Sequence, residues 1–227
     1  MGKRARTDAA KEEKANTILD KAAELFLEKD YELIRMADLA KELGISNGIL
    51  YFYFKTKETL FLCLLWREYE KRLDYLAKKT CLEQIHCFED IKRLFLEELE
   101  YLVDNNPLYI RLESMRAAIL ERNTDQEVLF RMKTRLFERM EAWTNQLSQS
   151  EILTSQQLVD IFFLEAAIIT GCKLGTDNPD SVRQILDQLG VAGTQRNFKQ
   201  DVLNGVRCYL DGYGQQLSPQ REAPLDC

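Results

Sequence analysis

Met36-Ala37-Asp38-Leu39-Ala40-Lys41-Glu42-Leu43-Gly44-Ile45-Ser46-Asn47-Gly48-Ile49-Leu50-Tyr51-Phe52-Tyr53-Phe54 reads as two short helices joined by a sharp turn. Met36, Leu39, Ala40 and Leu43 recur at helical spacing and predict one buried face. Gly44 follows and supplies the left-handed backbone that ends a helix at little steric cost. Ile45 is expected to plug the core between the helices. Ser46 is a good N-cap for the second helix, because its hydroxyl can accept a free backbone N–H. In that helix Ile49 and Leu50 read as core-facing, and Gly48 permits close approach of a partner. A helix, a glycine turn and a helix in about 20 residues occur both in ordinary αα-hairpins and in DNA-reading helix-turn-helix elements. Spacing alone leaves both open.

Upstream, Ile18, Ala22, Leu25 and Phe26 form one apolar face of a first helix, expected to begin near Asp8 or Lys11 and to close at residues 29–32. Downstream, Thr56 can cap a long helix to about Lys79 that carries Leu60, Leu64, Leu65, Trp66, Tyr69, Leu73 and Leu76. The remainder also has helical period. Helices are expected from Phe88 to Asp104, from Pro107 to about Arg122, from a Thr124 cap through Trp143, and from Leu158 to Lys173 behind Thr154 or Ser155. A shorter one spans Asp180 to Leu189 between loops at 175–179 and 190–193, and a last one carries Phe198 to Tyr213. No stretch alternates as a strand would. The fold class is all-α: a three-helix N-terminal helix-turn-helix head (residues 1–55), a C-terminal helical bundle body (56–214) and a polar, flexible tail (215–227).

Charge is distributed to suit that division. The 227 residues carry a formal net charge of −6, yet Met1–Lys57 holds 11 Lys and Arg against 10 Asp and Glu, so the rest carries −7. Such an asymmetry would turn the head toward phosphate. No apolar run approaches the roughly 20 residues of a membrane span. No apolar signal core follows Lys3, Arg4 and Arg6, so no membrane contact and a cytoplasmic location are expected. The six cysteines form no CxxC pair and are expected as free thiols. Cys81, His86 and Cys87 fall short of a four-ligand zinc set, so no metal or cofactor is expected. A single histidine, no phosphate-cradling glycine loop and no HExxH argue against an enzyme.

The residues at these positions narrow the choice. Met36 to Ala40, then Leu43-Gly44-Ile45-Ser46-Asn47-Gly48-Ile49-Leu50-Tyr51-Phe52-Tyr53-Phe54, then Lys57-Glu58-Thr59-Leu60, resemble the tetracycline-repressor (TetR) family. Ala22-Ala23-Glu24-Leu25-Phe26 matches that family's first helix, and the resemblance covers roughly Lys14 to Leu65. It implies a homodimeric transcriptional repressor that binds double-stranded DNA at a palindromic operator and is released by a small-molecule effector. By position, Tyr51, Tyr53 and Lys57 correspond to phosphate anchors, while Ser46, Asn47, Gly48 and Phe52 lie where bases or backbone are contacted. Arg35 departs from the family, standing where a capping threonine is common. A guanidinium there can still reach phosphate, but the cap must come from elsewhere.

The body carries no further motif. Residues 158–173 are almost wholly apolar between Ile161 and Ile169, which predicts burial all round. With the last helix they are expected to form a dimer interface through Leu158, Ile161, Ala166, Ala167, Val202, Val206 and Tyr209. Phe95, Tyr109, Met115, Phe137, Met140 and Phe162 are candidates for an apolar effector pocket. Glu165 is expected either to orient a polar ligand or to pair with Arg111 or Arg116, because a buried carboxylate needs a partner. A thiol-based redox sensor using Cys81 and Cys87, and a regulator without a ligand, are the alternative readings.

Overall fold

The computed structural model describes residues 3–190 and 196–217. Among the described residues all regular structure is helical: α1 (Lys3–Glu28), α2 (Met36–Glu42), α3 (Asn47–Tyr53), α4 (Lys57–Lys79), α5 (Phe88–Asn105), α6 (Pro107–Met115), α7 (Gln126–Ser148), α8 (Ser155–Thr176), α9 (Asp180–Leu189) and α10 (Phe198–Leu217). Two 3-10 turns, at Tyr31–Leu33 and Leu82–Gln84, and one π turn, at Arg116–Leu120, complete the set. The loop expected at 190–193 and the tail expected beyond Gly214 fall largely outside the described residues, although α10 itself continues to Leu217.

The chain divides into two compact units. One comprises the chain up to Leu73 with Asn106–Met140, and the other Asp74–Asn105 with the chain from Glu141. In the first, Ile18, Ala22, Leu25 and Phe26 of α1 are buried as their spacing predicts. Yet α1 starts at Lys3, ahead of Asp8. The Ala-, Lys- and Glu-rich stretch before Ile18 favours helix without help from a core.

The turn between α2 and α3 follows from its glycine. Gly44 sits at φ +63°, where a side chain would be strained. Gly44 N–H then donates to Lys41 O (3.1 Å) and Ile45 N–H to Ala40 O (3.0 Å), closing the last carbonyls of α2. Ser46 Oγ accepts from Ile49 N–H (3.3 Å) and caps α3. The expectation for the α3 core face needs a correction. Leu50 is fully buried, but Ile49 is 44% exposed, and Leu43 and Ile45 are half-buried. Neighbours in a helix point about 100° apart, so Ile49 and Leu50 cannot both face one small core. Arg35 precedes α2 with no side-chain cap.

Two boundaries also differ. The helix expected to run from Pro107 to Arg122 stops at Met115 and widens into the π turn, where Glu121 N–H reaches Arg116 O (2.9 Å). At α7 the cap is Asp125, whose Oδ1 accepts from Glu127 N–H (3.0 Å). Thr124 is buried and donates to Leu120 O instead (2.8 Å). At α8 Thr154 and Gln157 form a reciprocal capping box.

In the second unit α10 packs against both α5 and α8. Gly205 allows this approach, since a Cβ there would lie 3.1 Å from Ile168 Cγ2. Lys199 bridges to Glu100 (3.2 Å) and Asp104 (2.7 Å) of α5, and Lys92 of α5 bonds Asp211 of α10. The N-terminus of α5 is closed by Asp90 Oδ2, which accepts from His86 N–H (2.9 Å) and Cys87 N–H (3.2 Å). Those hydrogen bonds, the one from His86 foremost, hold the Asp90 carboxyl down to about 2. The burial expected all round α8 holds on one side only within the chain. Leu158, Ile161, Phe162, Ala166 and Ile169 are buried, whereas Leu164, Ala167, Gly171 and Leu174 are exposed.

Truncating Leu50 to Ala is expected to cost about 2–5 kcal/mol. Ile49→Ala should stay within about 0.5 kcal/mol. Urea unfolding of both variants, with equal losses, would contradict the assignment of α3's inner face.

Candidate nucleic-acid interface

The inner side of α3 is fixed by Leu50, and everything else on this helix follows from that anchor. Asn47, Gly48, Ile49, Tyr51 and Phe52 are exposed, Phe52 at 71%, and Tyr53 is half-buried with its ring edge-on to Phe52 (5.4 Å). Ser46 and Arg35 are also exposed. A Cβ on Gly48 would meet only Ser46 Oγ, at an ordinary 3.8 Å. The fold therefore makes no demand for glycine at this position.

The start of α4 clasps the turn that follows α1. Lys57 Nζ donates to Tyr31 O and to Ile34 O (2.9 Å), and lies 3.8 Å from the Tyr31 ring centre. Tyr31 Oη donates to Glu58 Oε1 (3.2 Å). Burial lowers the Lys57 pKa, partly offset by Glu58, and burial raises that of Tyr31, aided by Glu58. Thr56 Oγ1 accepts from Thr59 N–H (3.0 Å) and caps α4 as its sequence suggests. Beneath this clasp Phe26, Tyr31 and Phe61 pack as an aromatic trio with centroids 5.1–6.4 Å apart. Lys57 thus holds the head together, a task its motif did not announce. An ammonium carries about three N–H groups, so roughly one remains for an outside acceptor.

A second clasp reaches the same turn from α6. Arg111 donates to Phe26 O and to Lys29 O (3.1 Å), with its guanidinium 4.3 Å from the Phe26 ring centre. Arg111, one of the two arginines named with Glu165, is thus engaged by these carbonyls. Arg116 binds Glu113 Oε1 (2.9 Å) and Glu121 Oε1 (3.0 Å), and Lys133 binds Glu121 too. Glu113 is buried and also accepts from Tyr69 Oη (2.6 Å). Burial raises the Glu113 pKa against the pull of Arg116. Burial opposes the charge of Arg116, but the Glu113 carboxylate outweighs it and the pKa is raised.

The residues expected to line a pocket have other surroundings. Phe95 and Phe162 are fully buried on either side of Trp143, at 5.8 and 6.2 Å between centroids, a packed core in the second unit. Glu165 is buried in that unit as well. Tyr109, in the first unit, is buried edge-on to Tyr69 (5.3 Å) and accepts from Arg72 (3.0 Å). Met140 is buried, Met115 half-buried and Phe137 48% exposed. None of these seven borders the crevice of about 20 Å³ between α4 and α7, whose apolar wall is Leu62, Leu65, Trp66, Leu129, Met132 and Leu136. Sequence reading missed this place. Its one signal was the set of charges, Glu113, Arg116, Glu121 and Lys133, set among apolar helical positions.

Of the residues expected at a dimer interface, Leu158, Ile161, Ala166, Val202 and Val206 are already buried within the chain. Ala167 is exposed and Tyr209 half-buried. The five buried ones lie on α8 and α10, which pack against each other within the chain. Among the described residues no three His, Cys, Asp or Glu side chains are arranged to hold a metal ion. No helix among them is long and apolar enough to cross a membrane.

An exposed recognition-type helix on a glycine-turn pair, followed by a long all-helical body, defines a helix-turn-helix regulator. Residues 18–64 match the family described as bacterial regulatory proteins, tetR family, and residues 83–216 match the tetracyclin repressor-like C-terminal domain. The chain belongs to the tetR family of bacterial regulatory proteins. The HTH-type transcriptional regulator QacR of Staphylococcus aureus is 37% identical over 79 residues, 35% of this chain and 40% of QacR. The regulator YuxN of Bacillus subtilis is 41% identical over 59 residues, 26% of this chain and 20% of YuxN. The IcaR negative transcriptional regulator of the biofilm operon icaADBC in S. aureus is 28% identical over 95 residues, 42% of this chain and 49% of IcaR. These matches span less than half the length of each curated relative. A TetR-family transcriptional regulator from Mesorhizobium loti shares the fold, with a TM-score of 0.51 at 20% identity over 89% of this chain and 96% of that one. So does the fatty acid degradation regulator FadR of Bacillus halodurans, with a TM-score of 0.51 at 14% identity over 91% of this chain and 99% of that one.

Removing the α6 clasp by Arg111→Ala takes away hydrogen bonds from a charged donor and should destabilise the first unit by about 1.5–3 kcal/mol. Denaturant unfolding of this variant with no loss would contradict the role assigned to Arg111.

Proposed function

We propose that the chain is a dimeric, sequence-specific DNA-binding repressor whose operator affinity is set by a small-molecule effector. Residues 1–55 serve as the DNA-reading head and residues 56–214 as the dimerising, effector-responsive body. The observation that carries the DNA reading is the exposed side of α3. A helix that shows Asn47, Tyr51 and a 71%-exposed Phe52 to solvent, beside a glycine the fold does not require, has a surface shaped for something outside the chain. Gly48 lets a sugar-phosphate backbone come close. Asn47 offers a hydrogen-bonding amide to a base edge, and Phe52 an apolar face to a thymine methyl. Tyr51, Tyr53, Arg35, Ser46 and the remaining N–H of Lys57 supply phosphate contacts. Repression is favoured by IcaR, named as a negative regulator.

A dimer presents two such heads about 34–36 Å apart, one helical turn of DNA, to a palindromic operator. The exposed stripe Leu164, Ala167, Gly171 and Leu174 on α8 is the face left over for the second copy, with Tyr209 at its flank. An effector that binds better to another head spacing lowers DNA affinity by that difference.

Two measurements bear on this. Gly48→Ala should leave thermal stability unchanged or raise it by up to about 1 kcal/mol, since alanine suits a helix better, while weakening binding to a palindrome selected from random DNA. Equal affinity at fixed salt would overturn the placing of α3 in the groove. Leu164→Glu or Ala167→Glu should give folded monomers in sedimentation, whereas Val206→Asp should lose the fold itself. An intact dimer in both glutamate variants would refute the interface.

A further inference from the structure

The crevice between α4 and α7 is narrow and lies partly open to solvent. Its volume of about 20 Å³ is room for about one water molecule. A ligand site needs at least about 300 Å³, so any occupant must spread the walls. Those walls suit this: beside Trp66 they are leucines with Met132, an unbranched side chain that adapts its shape. From Leu62 to Tyr69 the α4 wall runs for about 10 Å.

At one end the lining turns polar, and there the balance of charge is uneven. Arg116 and Lys133 border the crevice with a single carboxylate, Glu121, between them. Glu113 does not border it, being buried and committed to Tyr69 and Arg116. The lining therefore carries one positive charge in excess. Arg116 opens the π turn, the only π segment among the described residues, Glu121 caps its end, and Lys133 bonds that cap. Such wide turns cluster at functional sites, because they hold an extra residue that a change in packing can release.

We propose that this crevice opens to take an amphipathic anion, with its apolar chain between α4 and α7 and its acidic head on Arg116 and Lys133 in place of the Glu121 carboxylate. The inference rests on the reading of the chain as an effector-responsive regulator. A ligand carboxylate reproduces the bonds it displaces, so the two cations are never left unpaired in a partly buried setting. A cationic head would face the excess positive charge. A neutral head would leave Arg116 and Lys133 competing for Glu121 as before. Once Glu121 leaves, the tie between the end of the π turn and Lys133 of α7 is lost. Arg111, on the helix leading into that turn, is the group that holds the end of α1.

Trp66 lines the crevice, so its fluorescence in a Trp143→Phe background reports occupancy, and calorimetry on the unaltered chain provides an independent reading. The probes are decanoate, decanol and decyltrimethylammonium, each below its micelle-forming concentration. Decanoate is expected to bind at least about tenfold more tightly than either of the others. Lys133→Gln, at a partly exposed position, should weaken decanoate by about tenfold and leave decanol unchanged, whereas Glu121→Gln should strengthen decanoate binding. Equal binding of the three probes, preference for the ammonium, or a decanoate affinity indifferent to both substitutions would overturn the proposal. DNA binding of the chain without probe is measured separately. Its failure would count against the regulator reading, and its success with no decanoate binding would count against the crevice alone.

Discussion

The C-terminal end of α1 has no cation of its own in its last turn. A helix ends with carbonyls that have no partner within the helix and with the negative pole of its dipole. Here both needs are met from elsewhere in the chain. Arg111 reaches back 85 residues in sequence to Phe26 O and also takes Lys29 O, and Lys57 takes the carbonyls of Tyr31 and Ile34 just beyond. The aromatic trio of Phe26, Tyr31 and Phe61 fills the space under these two cations. The position of α1 against α4 and α6 depends on this double clasp.

That constraint also explains the double character of the Lys57-Glu58 pair. The resemblance implies a phosphate contact for Lys57. Within the head Glu58 also accepts from the Tyr31 hydroxyl, and Lys57 spends most of its donors on the backbone. A residue that orders the head holds the exposed side chains of α3, such as Tyr51 and Asn47, at fixed positions. Loss of Lys57 would then act on every DNA sequence alike, as loss of a phosphate contact would, and the two roles separate only when stability is measured beside affinity.

What could be read from the sequence follows from how local the cause is. The α2–α3 turn was legible because Gly44 and Ser46 act on their own neighbours, through a left-handed φ and an N-cap bond that need no distant partner. The choice between Ile49 and Leu50 was not legible, because it depends on the angle at which α3 meets the core. The apolar run of α8 was legible as a helix, but which of its sides the chain itself covers was not. Its period is masked by apolar residues on every side, and only the packing of α10, through Gly205 against Ile168, decides which side is covered. The surroundings of the expected pocket residues were hidden for a third reason. Phe95 and Phe162 look like a lining until Trp143 is seen between them, and the partners of Arg116 lie in a π turn whose register no simple helical period predicts.

For an effector bound in the crevice as proposed, the magnitudes make α6 a sufficient route to the head. Regulation by an effector needs a coupling free energy of about 1–3 kcal/mol, a change in affinity of roughly 5- to 150-fold. Hydrogen bonds from a charged donor, as at Arg111, are each worth about 1.5–3 kcal/mol. No large rearrangement is then required. It is enough that the π turn behind Arg111 has two arrangements and that only one of them keeps the guanidinium on the carbonyls of Phe26 and Lys29. Because the aromatic trio is close-packed, α1 cannot follow by small degrees, and a packed contact of this kind yields by switching between two states. The buried bond of Tyr69 to Glu113 holds the root of the π turn to α4 while its far end at Glu121 stays within reach of solvent. The turn is thus anchored on the side of the core at Glu113 and open to exchange of partners at Glu121, the asymmetry that the proposed switch requires.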